Sequence, residues 1–221
     1  MIVSIPAAGG TVPGHLEVPS PELTTRPPWP GVVVVHDAVG MTDDTRALTA
    51  RFATAGYLAL APDLFSRGNR MRCVRSAFAQ LRRGTGQVGV AGFCMGGGFA
   101  LLLAPDFDVA APYYGEVPEP DRLDDACPIV ASYGGRDRRL RGSAEPLDRL
   151  LTECRIPHDV EEYPDAGHRF ANRLDLGPLT PLLRVTGIGY HHGRRRARGA
   201  ACWCSSATTS PHRPTALHDH G

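Results

Sequence analysis

Three residues of this chain combine the side-chain types and local settings that nucleophilic acyl chemistry requires: Cys94, Asp137 and His168. Cys94 stands at the centre of Gly92-Phe93-Cys94-Met95-Gly96, directly after the apolar run Val88-Gly-Val-Ala91 and ahead of an apolar helical segment through Phe99 to Leu103. The flanking glycines allow a sharp strand-to-helix turn in which neighbouring chains approach without Cβ clashes, so that the thiol projects above the sheet. The start of the following helix aims free N–H groups and the positive dipole end at the sulfur, which favours thiolate. His168 could take the thiol proton and return it to a leaving group, with Asp137 fixing the imidazole tautomer. The alternative is an inert buried thiol whose glycines serve only close packing. It requires the settings of Asp137 and His168 to be coincidental.

The elements that must position these residues follow from the hydrophobic pattern. Gly31 to Val35 is short, β-branched and uninterrupted, as a strand buried on both faces of a parallel sheet must be. Helical spacing then puts Ala47, Leu48, Phe52 and Ala55 on one side, with Asp43 or Asp44 as cap and Gly56 as the stop. Tyr57 to Ala61 reads as a second strand stopped by Pro62, and Val88 to Ala91 as a third. Val109 to Tyr113, Ile129 to Tyr133 and Asp159 to Tyr163 read as further strands, with a helix from Ser143 to Cys154 between the last two. One helix around Cys73 to Arg83 fits between Phe65 and Gln87, and Met1 to Val18 could add an antiparallel edge. Repeated strand-then-helix order implies a mostly parallel sheet with helices on both faces.

Within this framework Gly134-Gly-Arg-Asp137 and Pro164-Asp-Ala-Gly-His168 both follow expected strands, at the carboxyl ends where ligands gather in open parallel sheets. The order nucleophile, acid, histidine is the one used by α/β-hydrolases. The expectation is a three-layer α/β-hydrolase fold over residues 1–186 with an atypical C-terminal tail over 187–221.

The bulk properties exclude several functions. A formal net charge of +1 gives no field for steering polyanions, so a nucleic-acid partner is not expected. The first residues show neither a charged n-region with an apolar stretch nor any long hydrophobic run, so neither a secretory signal nor a membrane partner is expected and a cytoplasmic location is. Cys73, Cys94, Cys127, Cys154, Cys202 and Cys204 lack disulfide-framework spacing and read as thiols.

The three motifs together, read as Gly92-Phe-Cys94-Met-Gly96, Gly134-Gly-Arg-Asp137 and Gly167-His168-Arg169-Phe170, closely resemble those of the dienelactone hydrolase family. Val32 to Gly40 and Tyr57 to Leu64 also resemble family segments, so the likeness spans roughly 31–173. The resemblance implies hydrolysis of cyclic enol-lactones, typically to maleylacetate, without metal or organic cofactor. It further implies a thiol-activating role for the position of Asp37, where the family usually carries glutamate; being one methylene shorter, Asp37 could do the same work or fall short of the sulfur. Oxyanion donors are expected from the Met95 N–H and an N–H near Ala38. Arg169, where type enzymes often carry serine, and Asn172 and Arg173 are the substrate-binding candidates, any arginine among them being able to hold a carboxylate bidentately.

Two features depart from the family. The passage from 65 to 87 is short, so part of the substrate pocket is missing. From Tyr190 to Gly221 the only residue among Leu, Ile, Val, Phe and Met is Leu217, too little apolar surface to build the family's closing helix. A reading-frame change near residue 190 would produce such a tail, which is expected to pack poorly. Cys202-Trp-Cys204 matches no standard zinc spacing, so no metal is expected, and the basic run Arg194 to Arg198 reads as a solvated segment. The sequence therefore points to a thiol-dependent hydrolase of small esters or lactones, monomeric or weakly homo-oligomeric. Its rival is a non-catalytic small-molecule-binding or remnant protein of the same fold.

Overall fold

The computed structural model describes residues 1–20, 27–66 and 68–172. The strands are β1 (Ile2–Ala7), β2 (Gly10–Glu17), β3 (Gly31–Val35), β4 (Leu58–Pro62), β5 (Val88–Phe93), β6 (Val109–Tyr113), β7 (Ile129–Gly134) and β8 (His158–Tyr163). The helices are α1 (Asp43–Thr54), α2 (Arg70–Arg82), α3 (Met95–Leu102) and α4 (Ala144–Glu153), with single 3-10 turns at Ala104–Asp106 and Pro120–Leu123. The strands form one sheet in the order β1-β2-β4-β3-β5-β6-β7-β8. Only the β1-β2 and β2-β4 pairs are antiparallel, so the opening hairpin supplies the expected edge and the rest is parallel. The architecture is that of an α/β-hydrolase.

Direction along the sheet reverses between β3 and β5. The β3-to-β4 crossover runs one way and the β4-to-β5 crossover the other, so right-handed connections put α1 on one face and α2 to α4 on the opposite face. Both α1 and α2 accordingly pack on β3 and β4. Val32, Val33, Val34 and Val35 are all fully buried, which explains why β3 shows no alternation. The C-terminal ends of the adjacent strands β3 and β5 therefore border a crevice at a topological switch point.

Several boundaries differ from expectation for local reasons. The α1 cap is Thr42, whose side chain accepts from Thr45 N–H, while Asp43 and Asp44 lie in the first turn. There their charges complement the helix dipole instead of capping it. Tyr57 belongs to the turn that ends α1, its N–H donating to the Phe52 carbonyl at 3.1 Å, so β4 starts at Leu58. β4 ends at Pro62, which is its last residue, opposite Gly14, and so one residue beyond the expected end; past it Asp63 N–H still donates to Pro13 carbonyl at 2.8 Å. Arg173, the segment 187–221 and the pair Cys202 and Cys204 lie outside the described residues. No helix among the described residues is long and apolar enough to cross a membrane.

Candidate active site

Cys94 occupies the single residue between β5 and α3, with φ 55° and ψ −115°. Such a backbone costs about 1–3 kcal/mol and persists only where its surroundings impose it. Two glycines impose it here by close approach. A Cβ on Gly92 would lie 1.9 Å from the Gly96 carbonyl oxygen, and one on Gly96 would lie 2.2 Å from the Val35 carbonyl oxygen. The turn thus closes on itself and wedges the start of α3 against the end of β3. Cys94 N–H donates to Tyr113 carbonyl (3.0 Å), and its own carbonyl accepts from Gly97 N–H (2.9 Å) and from Gly98 N–H (3.2 Å), the latter being the first α-helical bond of α3.

Asp137 and His168 reach the thiol from the ends of β7 and β8. Their loops are laced together by Gly135 N–H to Tyr163 carbonyl and Arg136 N–H to Ala166 carbonyl, both 2.9 Å. The Asp137 carboxylate is buried; its Oδ1 accepts from Arg139 N–H (2.9 Å) and Leu140 N–H (3.3 Å). Its Oδ2 lies 2.5 Å from His168 Nδ1, and His168 Nε2 lies 3.2 Å from Cys94 Sγ. The three sequence-selected residues therefore form one continuous chain of contacts, although they lie 74 residues apart from Cys94 to His168.

The electrostatics of this chain favour charge separation. Burial pushes the Cys94 thiol up, but the His168 hydrogen bond and charge and the Met95 N–H outweigh it, leaving the pKa lowered against the opposing charge of Asp37. Burial alone would lower His168, yet its bonds to Asp137 and Cys94 raise it to about 9. Burial likewise disfavours the Asp137 carboxylate, and the bonds from His168 and Arg139 N–H more than reverse this. Both shifts favour the thiolate–imidazolium form of the pair over the neutral one. Iodoacetamide is accordingly expected to alkylate Cys94 near pH 7, with a rate that rises with pH through a midpoint below that of an ordinary thiol. Peptide mapping should find Cys127, whose pKa burial raises strongly, unlabelled under the same conditions. His168→Ala should move the Cys94 profile to higher pH; an unmoved profile would contradict the pairing.

The remaining candidates are arranged around Asp37, which follows β3 and is 3% exposed. Its Oδ1 accepts from Val39 N–H (2.8 Å), while its Oδ2 pairs with Arg169 Nη2 (2.6 Å) and accepts from Asn172 Nδ2 (3.3 Å). Arg169, directly after His168, has φ 64°, which turns its side chain back toward Asp37. Asn172 also donates to Asp44 Oδ2 (2.8 Å) and accepts at Oδ1 from the Tyr114 hydroxyl, so both amide hydrogens and one lone pair are committed within the protein. The Met95 N–H helps to hold the Cys94 thiol below its ordinary pKa. Ala38 follows Asp37 on the β3 side of the same crevice.

Sequence reasoning passed over Tyr114, Asp44 and His36. Tyr114 is buried, has φ 41°, and its ring centre lies 5.2 Å from that of His168. Its position one residue beyond β6, in Tyr113-Tyr114-Gly115, was the available signal, because that is the strand-end setting shared by Cys94 and Asp137. His36 joins the loops after β3 and β4: its Nδ1–H donates to Asp37 carbonyl (2.7 Å) and its Nε2 accepts from Leu64 N–H (3.0 Å). That pattern needs neutral imidazole, in keeping with a pKa lowered chiefly by burial.

A model of the dienelactone hydrolase family matches residues 20–85 and 72–196. The chain is 26% identical over 208 residues to a Yersinia pestis protein named "Putative carboxymethylenebutenolidase", covering 76% of this chain and 77% of that one. It is 27% identical to the Escherichia coli K12 protein of the same name, covering 76% of each. Among solved structures, a dienelactone hydrolase-like promiscuous phosphotriesterase from metagenomic libraries superposes with a TM-score of 0.73 at 19% identity, over 93% of this chain and 95% of that one. A Klebsiella pneumoniae protein described as a "Putative Dienelactone Hydrolase" gives 0.72 at 23% identity, over 92% and 95%. These two likenesses establish the fold.

Proposed function

Because the chain belongs to the dienelactone hydrolase family and is a hydrolase of the ester and lactone class, we propose that it works through a Cys94 thiolate and an acyl-enzyme thioester. What carries this reading is the contact chain from Cys94 Sγ to His168 Nε2 at 3.2 Å and from His168 Nδ1 to Asp137 Oδ2 at 2.5 Å, anchored at a cysteine with positive φ. The thiolate attacks the substrate carbonyl, and the oxyanion is held by the Met95 N–H and by the Ala38 N–H. The tetrahedral intermediate collapses as His168 protonates the departing alkoxide, leaving the thioester. Neutral His168 then takes a proton from water, whose oxygen attacks the thioester; collapse releases the acid and restores thiolate and imidazolium. Asp137 holds the imidazole in the one tautomer that presents Nε2 to the sulfur.

The proposal has two kinetic signatures. Turnover should rise with pH through the lowered Cys94 pKa, then fall as pH passes about 9, where His168 loses the proton needed by the leaving group. Rapid mixing with excess 4-nitrophenyl ester should release about one nitrophenolate per chain in a burst whenever deacylation is slower than acylation. Mass spectrometry of the acid-quenched protein should find the acyl mass on the peptide containing Cys94. Sustained turnover with the acyl group trapped on another residue would sink the thioester mechanism.

A further inference from the structure

Acyl transfer at Cys94 calls on two backbone donors, and they are held very differently. Met95 is fixed as the first residue of α3. Ala38 lies in the loop between β3 and α1, where both it and Val39 are exposed. What orients its N–H is the preceding carbonyl, because the C=O of Asp37 and the N–H of Ala38 belong to one planar trans peptide and point in opposite directions. That carbonyl is anchored by His36. The imidazole is 1% exposed, and its Nδ1–H donates to the Asp37 carbonyl at 2.7 Å, while Gly40 N–H donates to the same oxygen at the longer distance of 3.2 Å. On the other side of the ring Nε2 accepts from Leu64 N–H at 3.0 Å, which ties His36 to the loop after β4. A carbonyl can only accept and a backbone N–H can only donate, so the two bonds together admit one form of the ring, neutral with its proton on Nδ1. His36 also abuts the elbow: a Cβ on Gly96 would lie 2.6 Å from the His36 carbonyl oxygen. The Ala38 N–H itself donates to no backbone acceptor among the described residues.

We infer that His36 is a positioning residue for the oxyanion hole: by pinning the Asp37 carbonyl it keeps the Ala38 N–H aimed at the oxygen on which charge develops, alongside the Met95 N–H. The ring acts from behind the peptide and through it. Without the Nδ1–H bond the peptide is held by the longer Gly40 bond alone. The donor must then be reoriented as the tetrahedral intermediate forms, a cost that a preorganised donor avoids. The effect falls on the transition state and not on substrate binding, so kcat carries it and KM does not. The thiolate does not depend on His36, since the groups that lower the Cys94 pKa are His168 and the Met95 N–H.

The inference rests on the proposed Cys94 mechanism, and the test separates the two. Two amide variants divide the two bonds of the ring, because the amide of asparagine reaches the place of Nδ1 and that of glutamine the place of Nε2. His36→Asn can still donate to the Asp37 carbonyl but loses the tie to Leu64. His36→Gln keeps the tie and loses the pin. With 4-nitrophenyl butanoate, His36→Gln is expected to lower kcat at least about ten-fold with KM within about two-fold, since acylation and deacylation use the same oxyanion hole. His36→Asn should recover most of that loss, even where its melting temperature is the lower of the two. Alkylation of Cys94 by iodoacetamide forms no oxyanion and should keep its wild-type rate in both variants. A Gln variant as active as the Asn variant, or alkylation slowed in step with turnover, would overturn the inference while leaving the thiol mechanism standing. Full activity of Cys94→Ser would overturn the mechanism, and the inference with it. Should a variant not fold, the wild-type protein still decides: the ring-nitrogen chemical shifts of His36 at pH 7 should report a neutral imidazole protonated at Nδ1, and a proton on Nε2 or on both nitrogens would overturn the inference.

Discussion

Replacing Cys94 by serine is expected to lower kcat/KM on small neutral esters by at least about a thousand-fold, equivalent to about 4 kcal/mol of transition-state stabilisation. The thiol is held below its ordinary pKa by His168 and the Met95 N–H, whereas a hydroxyl at the same point stays protonated and depends on a base poised for sulfur. The fold should tolerate the change, because Cys94 is only partly buried and serine preserves the shape of the side chain. His168→Ala should be comparably damaging, since it removes both the partner of the thiolate and the acid for the leaving group. The double variant should be no worse than either single one, because the groups act as a unit. Asp137→Asn should retain more activity. Steady-state kinetics on purified variants, with the melting temperature as a check on folding, would test this. Cys94→Ser turnover equal to wild type would end the case for a thiol nucleophile.

The second large effect is expected at Gly96, where a single methyl group should unsettle both the fold and the site. Its Cβ would lie 2.2 Å from the Val35 carbonyl oxygen and 2.6 Å from that of His36. Both are backbone atoms at the end of β3, and neither can rotate away. Alanine must therefore push α3 off the sheet or open the end of β3, at a cost of about 3 kcal/mol or more. The displaced elements are those that carry Cys94 and Met95 on one side and Asp37 and Ala38 on the other, so activity should fall with stability. Gly98 is the internal control: a Cβ there meets nothing nearer than 3.7 Å, and alanine in that helical position should be neutral or stabilising by up to about 1 kcal/mol. Urea unfolding of the two variants checks the contrast. A Gly96→Ala protein as stable and active as Gly98→Ala would show that the elbow has more slack than its contacts imply.

Much of this structure could be read locally. Alternation of β-branched runs with helical spacing located β3, β5, β6, β7 and β8 to within a few residues, because a buried parallel strand has a compositional signature of its own. The placement of Cys94, Asp137 and His168 after strands was legible for the same reason, and chain order added to it. The caps were less legible. Thr42 and the acidic residues after it are all competent to cap, and only the backbone decides which residue stands outside the helix.

By itself, then, the sequence determined the strand and helix succession and the chemical types delivered to the carboxyl ends of the strands. These depend on short-range pattern and on residue identity. Tertiary structure alone decided which of those residues meet. The Tyr114–Asn172 bond joins residues 58 positions apart, and the Asn172–Asp37 bond joins residues 135 apart. No periodicity encodes such pairings, because they arise only when the sheet order brings the ends of β3, β6 and β8 together around one crevice. The same assembly turned Arg169 from an open cation into the partner of Asp37. A guanidinium buried beside a carboxylate is held there by the charge that separation would leave unpaired, and that balance exists only once both groups have been taken out of water.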